Sequence, residues 1–342
     1  MVKPGEQGIV EPGQPPRKTA VIESRRMVQW WLYYPAVLDS AELALTASQK
    51  AVLAKSLEAY RQGDLLQALK DFPERRTPEN EDERVFHAAL LLSVGQVERA
   101  GSLLATTNAS TPAAHALHLM MDTVQMRDVP PLPDPQTATE WLANSYLLQS
   151  RFDLAAALAA ARKATEVSPQ FGFAFARVAE LEFSFGHTTE ASEALVWALS
   201  LSPRNAQAWA LKGFLLSAQN QWRPAQEAFS KAIALDPALG NGWLGRGLVR
   251  IRLGDKAEGR GDLQTAAAME PNRSVLRSYL GKGFDYTHDE ANAARELNLA
   301  KELDRRDPTP WLYSALILRQ NLRYNEAVTD LEKSVALNDD RR

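Results

Sequence analysis

An all-α fold, a solenoid of stacked helical hairpins, follows from three observations on the sequence. Apolar residues between Ala206 and Leu239 recur at spacings of three and four, the period of a helical face. The same 34-residue template returns in phase along the second part of the chain, with no insertion. Prolines and short polar breaks fall between the apolar runs, where they end helices rather than interrupt them.

Within the template, the first helix carries Trp209, Gly213 and Leu216, with Leu211 and Leu215 beside them. The second carries Ala225, Ala228, Phe229, Ala232 and Leu235. Asn220-Gln221 marks the break, and Pro224 lies in the first turn of the second helix, where a missing N–H costs least. Asp236-Pro237 closes the unit, because the residue before a proline is driven out of the α region. Units begin at Ala138, Gly172, Ala206, Gly240, Ser274 and Pro308. Their fourth residues are Trp141, Phe175, Trp209, Trp243, Arg277 and Trp311. The eighth is small throughout: Ser145, Ala179, Gly213, Gly247, Gly281 and Ala315. So are the twentieth (Ala157, Ala191, Ala225, Gly259, Ala293, Ala327) and the twenty-seventh (Ala164, Ala198, Ala232, Ala266, Ala300, Ser334). Small residues let two helix backbones approach. The aromatic is expected to fill the gap towards the next hairpin, which predicts a buried Trp209.

This pattern of length, small residues, aromatic and closing proline resembles the tetratricopeptide repeat (TPR) family over Ala138 to Arg341. The resemblance implies a right-handed superhelix of helix-turn-helix units, with a binding groove lined by the first helices. Departures are Arg277 for the aromatic, Arg305 and Asp339 for the closing proline, and Glu182 and Arg250 where a large apolar residue is usual.

Ahead of the array the chain is less regular. Residues 1–21 hold Gly5, Gly8, Gly13, Pro4, Pro12, Pro15 and Pro16 around short apolar pieces, which is turn and short-strand chemistry. The expectation for residues 1–21 is an extended leader or the end of an upstream β domain: PGEQGIVEPGQPP followed by KTAVIES resembles the closing strand and exit of a FecR-type β domain, which implies that the chain is a regulatory or envelope-assembly segment of a larger bacterial FecR–TPR protein. Ile22 to Leu38, with Trp30, Trp31, Tyr33 and Tyr34, is expected to form a docking helix over the open end of the array. A helix, a turn at Gln62-Gly63-Asp64 and a second helix stopped by Pro73 follow, then a charged loop from Pro73 to Glu83. Arg84 to Pro112 fits the repeat, with Ala88 as the small residue, Gly95 as the turn, Ala100 and Leu104 on the second helix, and Pro112 as the closing proline. Ala113 to Met126 is an extra helix. The expected organisation is a degenerate repeat-like subdomain over 22–127, a proline-rich joint over 128–137, and six regular units over 138–342.

The chemistry-bearing motifs are few. There is no cysteine among 342 residues, so disulfides, thiol catalysis and thiolate-held zinc are excluded. A formal net charge of -3 argues against a nucleic-acid binder. No apolar run reaches the ~18 residues of a membrane span, and no apolar export signal opens the chain. That makes the cytoplasm the default location, and the periplasm the expected one for a piece of a FecR–TPR protein. Gly240-Asn241-Gly242-Trp243-Leu244-Gly245 matches GxGxxG, but a helix and a proline precede it instead of the strand that dinucleotide binding requires. His115, His118 and Asp122 share one helix face without a third histidine nearby, so no metal is expected. No cofactor and no catalytic set is indicated.

What remains is binding. First-helix residues off the packing seam are Tyr146, Gln149, Phe173, Phe183, Gln207, Phe214, Leu248, Ile251, Arg252, Lys282 and Arg319. Leu142, Tyr146 and Ala176 stand where the family's carboxylate clamp would need Lys and Asn. The expected partner is therefore an extended or helical peptide with apolar anchors, held by a non-catalytic scaffold. The last helix carries Ala327, Val328, Leu331, Val335 and Leu337 with no following hairpin in the sequence. Its apolar face predicts end-to-end self-association or a continuation of the chain that covers it.

Overall fold

The computed structural model describes residues 6–9, 17–20, 36–105, 111–125, 127, 129, 134–151 and 153–339. Two short strands, β1 (Glu6–Ile9) and β2 (Arg17–Ala20), pair antiparallel with Glu6 opposite Ala20 and Ile9 opposite Arg17. Among the described residues, everything regular after them is helical. The expected helix over 22–38 falls outside the described residues as far as position 35. Ala36, Val37 and Leu38, which are described, are buried without regular structure.

The chain divides into two compact units, Trp31–Leu215 and Leu216–Arg342 with Met1–Trp30. In the first, α1 (Ala47–Val52), α2 (Ala54–Arg61) and α3 (Leu65–Asp71) lead into the hairpin α4 (Glu81–Ser93) and α5 (Val97–Leu104), and then α6 (Pro112–Val124). Two sequence expectations shift here. Asn80 accepts from the Glu83 amide and caps α4, so the charged run Glu81-Asp82-Glu83 is the first turn of that helix rather than loop. Its carboxylates face the positive end of the helix dipole. Pro112 does not close a repeat. It opens α6 at the first helical position, behind the capping hydroxyl of Thr111. The turn residues Gly63 (φ 86°) and Gly95 (φ 83°) and the buried Ala88, Ala100 and Leu104 lie as expected.

The regular units then appear in register. The first helices are α7 (Ala138–Ser150), α9 (Gly172–Ser184), α11 (Ala206–Ala218), α13 (Gly240–Leu253), α15 (Ser274–Tyr286) and α17 (Thr309–Gln320). The second helices are α8 (Leu154–Val167), α10 (Thr188–Leu201), α12 (Trp222–Leu235), α14 (Lys256–Met269), α16 (Glu290–Leu303) and α18 (Tyr324–Asp339). The division between the two compact units falls inside α11. Within the first unit, one apolar core runs unbroken from Ala36 to Ala174, and α6 packs on α7.

Every eighth, twentieth and twenty-seventh residue of the six units is buried, from Ala157 at 0% exposure to Ser334 at 8%. Where two glycines meet, the backbones approach closely: a Cβ on Gly259 would lie 2.6 Å from the Gly247 carbonyl oxygen. Between the helices of each of the last five hairpins one residue adopts positive φ: Gly186, Asn220, Gly254, His288 and Leu322, each 34 residues from the last. The amide after it bonds back five residues, as in His187 to Glu182 (2.9 Å) and Arg323 to Leu318 (2.9 Å), which is a Schellman-type closure.

The fourth-position residue differs from expectation. Trp209 is half-buried, and its indole Nε1 donates to the Pro203 carbonyl at 2.9 Å. Trp243 does the same to Pro237 at 2.8 Å. Arg277 repeats the bond with its Nε, to Pro271 at 2.9 Å. In these three units the position supplies an N–H that satisfies an orphan carbonyl at the loop, and an arginine serves as well as an indole. Trp311 has Arg305 six residues before it instead of a proline, and its buried Nε1 has no partner among the described residues.

Leu322 is the costly member of the turn series, since a left-handed conformation is unfavourable for a non-glycine residue and its side chain is 71% exposed. Leu322→Gly is expected to raise stability by about 1 kcal/mol. Equilibrium urea unfolding, with Leu312→Gly as a control at an ordinary helical position that should lose stability, checks it.

Candidate functional site

The first-helix face must be read separately in each unit. In Trp31–Leu215 the central feature is Arg177, the sixth residue of its repeat and 1% exposed. Its Nε donates to Ser145 Oγ (3.1 Å), Nη2 to the Ser145 carbonyl (3.3 Å) and to Gln149 Oε1 (2.5 Å), and Nη1 pairs with Glu180 (2.9 Å). The guanidinium lies 4.0 Å from the centre of the Tyr146 ring. Cation–π stacking, and a guanidinium whose donors are spent on one spot, take Tyr146 and Gln149 into the packing. Burial pushes the Tyr146 hydroxyl pKa well up, and the Arg177 charge opposes that only in part. Phe173 is buried too, with its ring 5.3 Å from that of Tyr60 and 6.1 Å from Phe171. Tyr146 and Phe173 are therefore not open contact residues. Phe183, Gln207 and Phe214 are half-buried, and the Gln207 Nε2 is a buried donor without a partner among the described residues.

Glu182, placed where an apolar residue was usual, is buried and satisfied. Arg162 and His187 Nδ1 (2.8 Å) both reach its carboxylate. Burial alone would raise its pKa; His187 and Arg162 outweigh it and hold the group below its ordinary value.

In Leu216–Arg342 the same relation between repeats recurs with the partners exchanged. Lys282, a ninth-position residue like Tyr146, sits 5.8 Å from the ring of Tyr313, which is the sixth residue of the next unit, and 4.8 Å from Tyr286. Its Nζ pairs with Asp285 at 3.2 Å. Tyr279 packs edge-on against Tyr313 with centroids 5.4 Å apart, and burial together with Tyr279 drives the Tyr313 pKa far upward. Lys282 is thus mostly enclosed. Leu248 and Ile251 are half-buried, whereas Arg252 and Arg319 are exposed; Arg252 hovers 5.4 Å from the Trp222 ring. These four form the accessible part of the face.

Sequence reasoning missed Arg177 and the three tyrosines. A signal existed: Tyr146 and Arg177, like Lys282 and Tyr313, are 31 residues apart, so the sixth position of one unit meets the ninth of the unit before. The glycine motif lies on α13 itself, not after a strand, and Gly245 is there because a Cβ would run into the Phe229 ring. His115 is exposed on α6, and among the described residues no group of three His, Asp or Glu is arranged for a metal. No described helix is long and apolar enough to cross a membrane.

No protein-family model matches the chain. Anaphase-promoting complex subunit 3 of Schizosaccharomyces pombe is 27% identical over 140 residues, which is 41% of this chain and 21% of that protein. The crystal structure of the APC/C hetero-tetramer Cut9-Hcn1 superposes with a TM-score of 0.66 at 18% identity, covering 90% of this chain and 65% of the other. TTC0263, a thermophilic TPR protein of Thermus thermophilus, matches with a TM-score of 0.47 and 21% identity, covering 56% of this chain and 100% of its own. The chain thus spans about a fifth of the curated relative. The shared property is the fold.

Arg177→Ala is expected to cost about 3 kcal/mol, because it empties the space under Tyr146 and leaves the buried Ser145 hydroxyl short of a partner. Chemical denaturation checks this, and tyrosine fluorescence should report a more solvated Tyr146.

Proposed function

We propose that this chain, a helical solenoid with the tetratricopeptide-repeat fold, is a non-catalytic protein–protein interaction scaffold that holds a partner segment against the first helices α13, α15 and α17. The observation that carries this reading is where apolar and cationic side chains stay accessible. Leu248 and Ile251 offer apolar anchoring surface on α13 beside the exposed guanidinium of Arg252, and Arg319 is exposed on α17. In the other unit Tyr146 and Phe173 are spent on packing. An extended or amphipathic peptide with apolar anchors suits such a surface. The similar Cut9 chain belongs to a hetero-tetramer, which is in keeping with a scaffold. The antiparallel strand pair β1–β2 favours, as a second reading, a segment of a larger FecR–TPR protein.

Self-association through the last hairpin belongs to the same proposal. The twenty-fourth residue of each of the first five units is buried: Ala161 0%, Leu195 4%, Phe229 0%, Leu263 1% and Leu297 2% exposed. Leu331 at that position is 39% exposed, with Val328 at 53% and Val335 at 59% beside it. A second copy of the chain is the occupant proposed for this face.

Leu248→Ser with Ile251→Ser is expected to weaken capture of the binding partner roughly tenfold or more, since truncating two anchors of a small interface costs ~1.4 kcal/mol at least. The comparison is with Glu227→Ser and Lys231→Ser on α12, which should bind as the parent does. Pull-down with the intact chain followed by titration of the captured partner measures it; equal loss from both pairs, at parental helicity, sinks the reading. For self-association, Val328→Lys with Val335→Lys should give a monomer by light scattering where the parent forms larger species. A parent that is already monomeric at high concentration counts against it.

A further inference from the structure

The segment before α4 is fastened across the first regular units at two successive loops. At one end, the Asp39 amide donates to Thr139 Oγ1 (2.8 Å), Ser168 Oγ donates to Asp39 Oδ2 (2.6 Å), and the Glu42 carboxylate accepts from the Ala138 amide (2.6 Å) at the start of α7. At the other, Ser202 Oγ donates to the Arg61 carbonyl (2.8 Å), the Arg204 amide to the Gln62 carbonyl (2.7 Å), and Arg204 Nε to Asp64 Oδ2 (2.7 Å). Between these ties, the Tyr60 ring covers Phe173.

The closeness of the second tie is written into Gly63. It has φ +86°, and a Cβ there would stand 2.7 Å from the Asn205 amide nitrogen. Both docking serines occupy the thirty-first position of their repeats. In the next three units that position is acidic. Two of those acids turn to their own chain: Asp236 accepts from the Ala238 amide and Asp304 from that of Arg306, each at 2.9 Å. The first two units therefore carry hydroxyls adapted to an added strand of chain, which the next three lack.

We propose that residues 39–64 are an autoinhibitory strap, an internal occupant of the surface formed by the first turns of α7 and α9, and that a partner segment gains that surface only by lifting Tyr60 off Phe173. Release of the strap would expose the Phe173 end of α9 within the Trp31–Leu215 unit. The inference rests on the first-helix face being a binding surface. Its test lies wholly in the Trp31–Leu215 unit, so it can fail while the Leu248 and Ile251 result stands, and the reverse.

The experiment uses the full chain with Gly63→Val, and separately with Asp64→Lys, the latter alone and combined with Arg204→Glu to restore the ion pair. The probe is a fluorescent peptide of residues Ala54–Leu65 added in trans. Gly63→Val should speed hydrogen exchange in α2 and α3 roughly tenfold or more, with α7 to α10 still protected. The labelled peptide should then bind this variant and not the parent, and a Tyr60→Ser peptide should bind neither. Asp64→Lys should loosen the strap less, and Arg204→Glu should reverse that change. Joint loss of protection in α2–α3 and α7–α10 would make the segment an inseparable part of the core and overturn the proposal. So would a released strap whose site does not take the peptide, equal peptide binding by parent and variant, or unchanged exchange in both variants.

Discussion

Close approach of the two helix backbones in each hairpin sets the geometry on which the other contacts depend. Packing between helices is strongest where nothing larger than a methyl group stands between them, because dispersion falls steeply with distance. The eighth, twentieth and twenty-seventh positions provide this, and in the Gly247–Gly259 pair even the methyl groups are gone. With that distance set, a fixed left-handed residue reverses the chain, and the sixth residue of one unit arrives at the ninth of the unit before. The Arg177–Tyr146 and Lys282–Tyr313 contacts are two solutions to the same placement. Neither exists unless the hairpins pack tightly.

Around this seam the units differ in how they fill the twenty-third position. Ala160, Ala194 and Ala228 occupy it in the first three. Asp262, Glu296 and Asp330 occupy it in the last three, and each is answered by a cation: Arg246 and Arg250 at 2.8 Å for Asp262, Arg277 at 3.0 Å for Glu296, and Lys301 at 3.0 Å for Asp330. Buried pairs of this kind add little net stability once desolvation is counted, but removing one partner is severe. The departures from the repeat pattern at Arg250 and Arg277 are thus halves of pairs, not irregularities. The same holds for Glu182 with Arg162 and His187.

The distribution of free surface follows from these choices. Where the sixth-position residue is large and charged, as at Arg177, it draws neighbouring polar side chains into the seam and the face closes. Where the sixth residue is Gly245, nothing reaches back from it, and Leu248 and Ile251 remain half-buried on the same helix. The chain before α4 closes the earlier face further, through Tyr60.

The repeat, its register, its helix boundaries and its small-residue seam were determined by the sequence alone, because each depends on contacts within about 34 residues that recur and so reinforce one another. Trp209 shows the limit even there: periodicity locates the aromatic, but whether its ring fills a core or its Nε1 seals the Pro203 carbonyl depends on where the loop lies. The GxGxxG run belongs to the repeat, since its packing partner, Phe229, is in the preceding unit. Tertiary structure alone decided the fate of Tyr146 and Phe173 and the docking of residues 39–64. Ser202 and Arg61 are 141 positions apart, Arg204 and Asp64 140, and no periodic signal links them. A pattern that repeats announces contacts between neighbours; a contact made once, between a non-repeating segment and the array, leaves only a trace such as two serines where the next three units carry acids, and its energy appears only when the chain is folded.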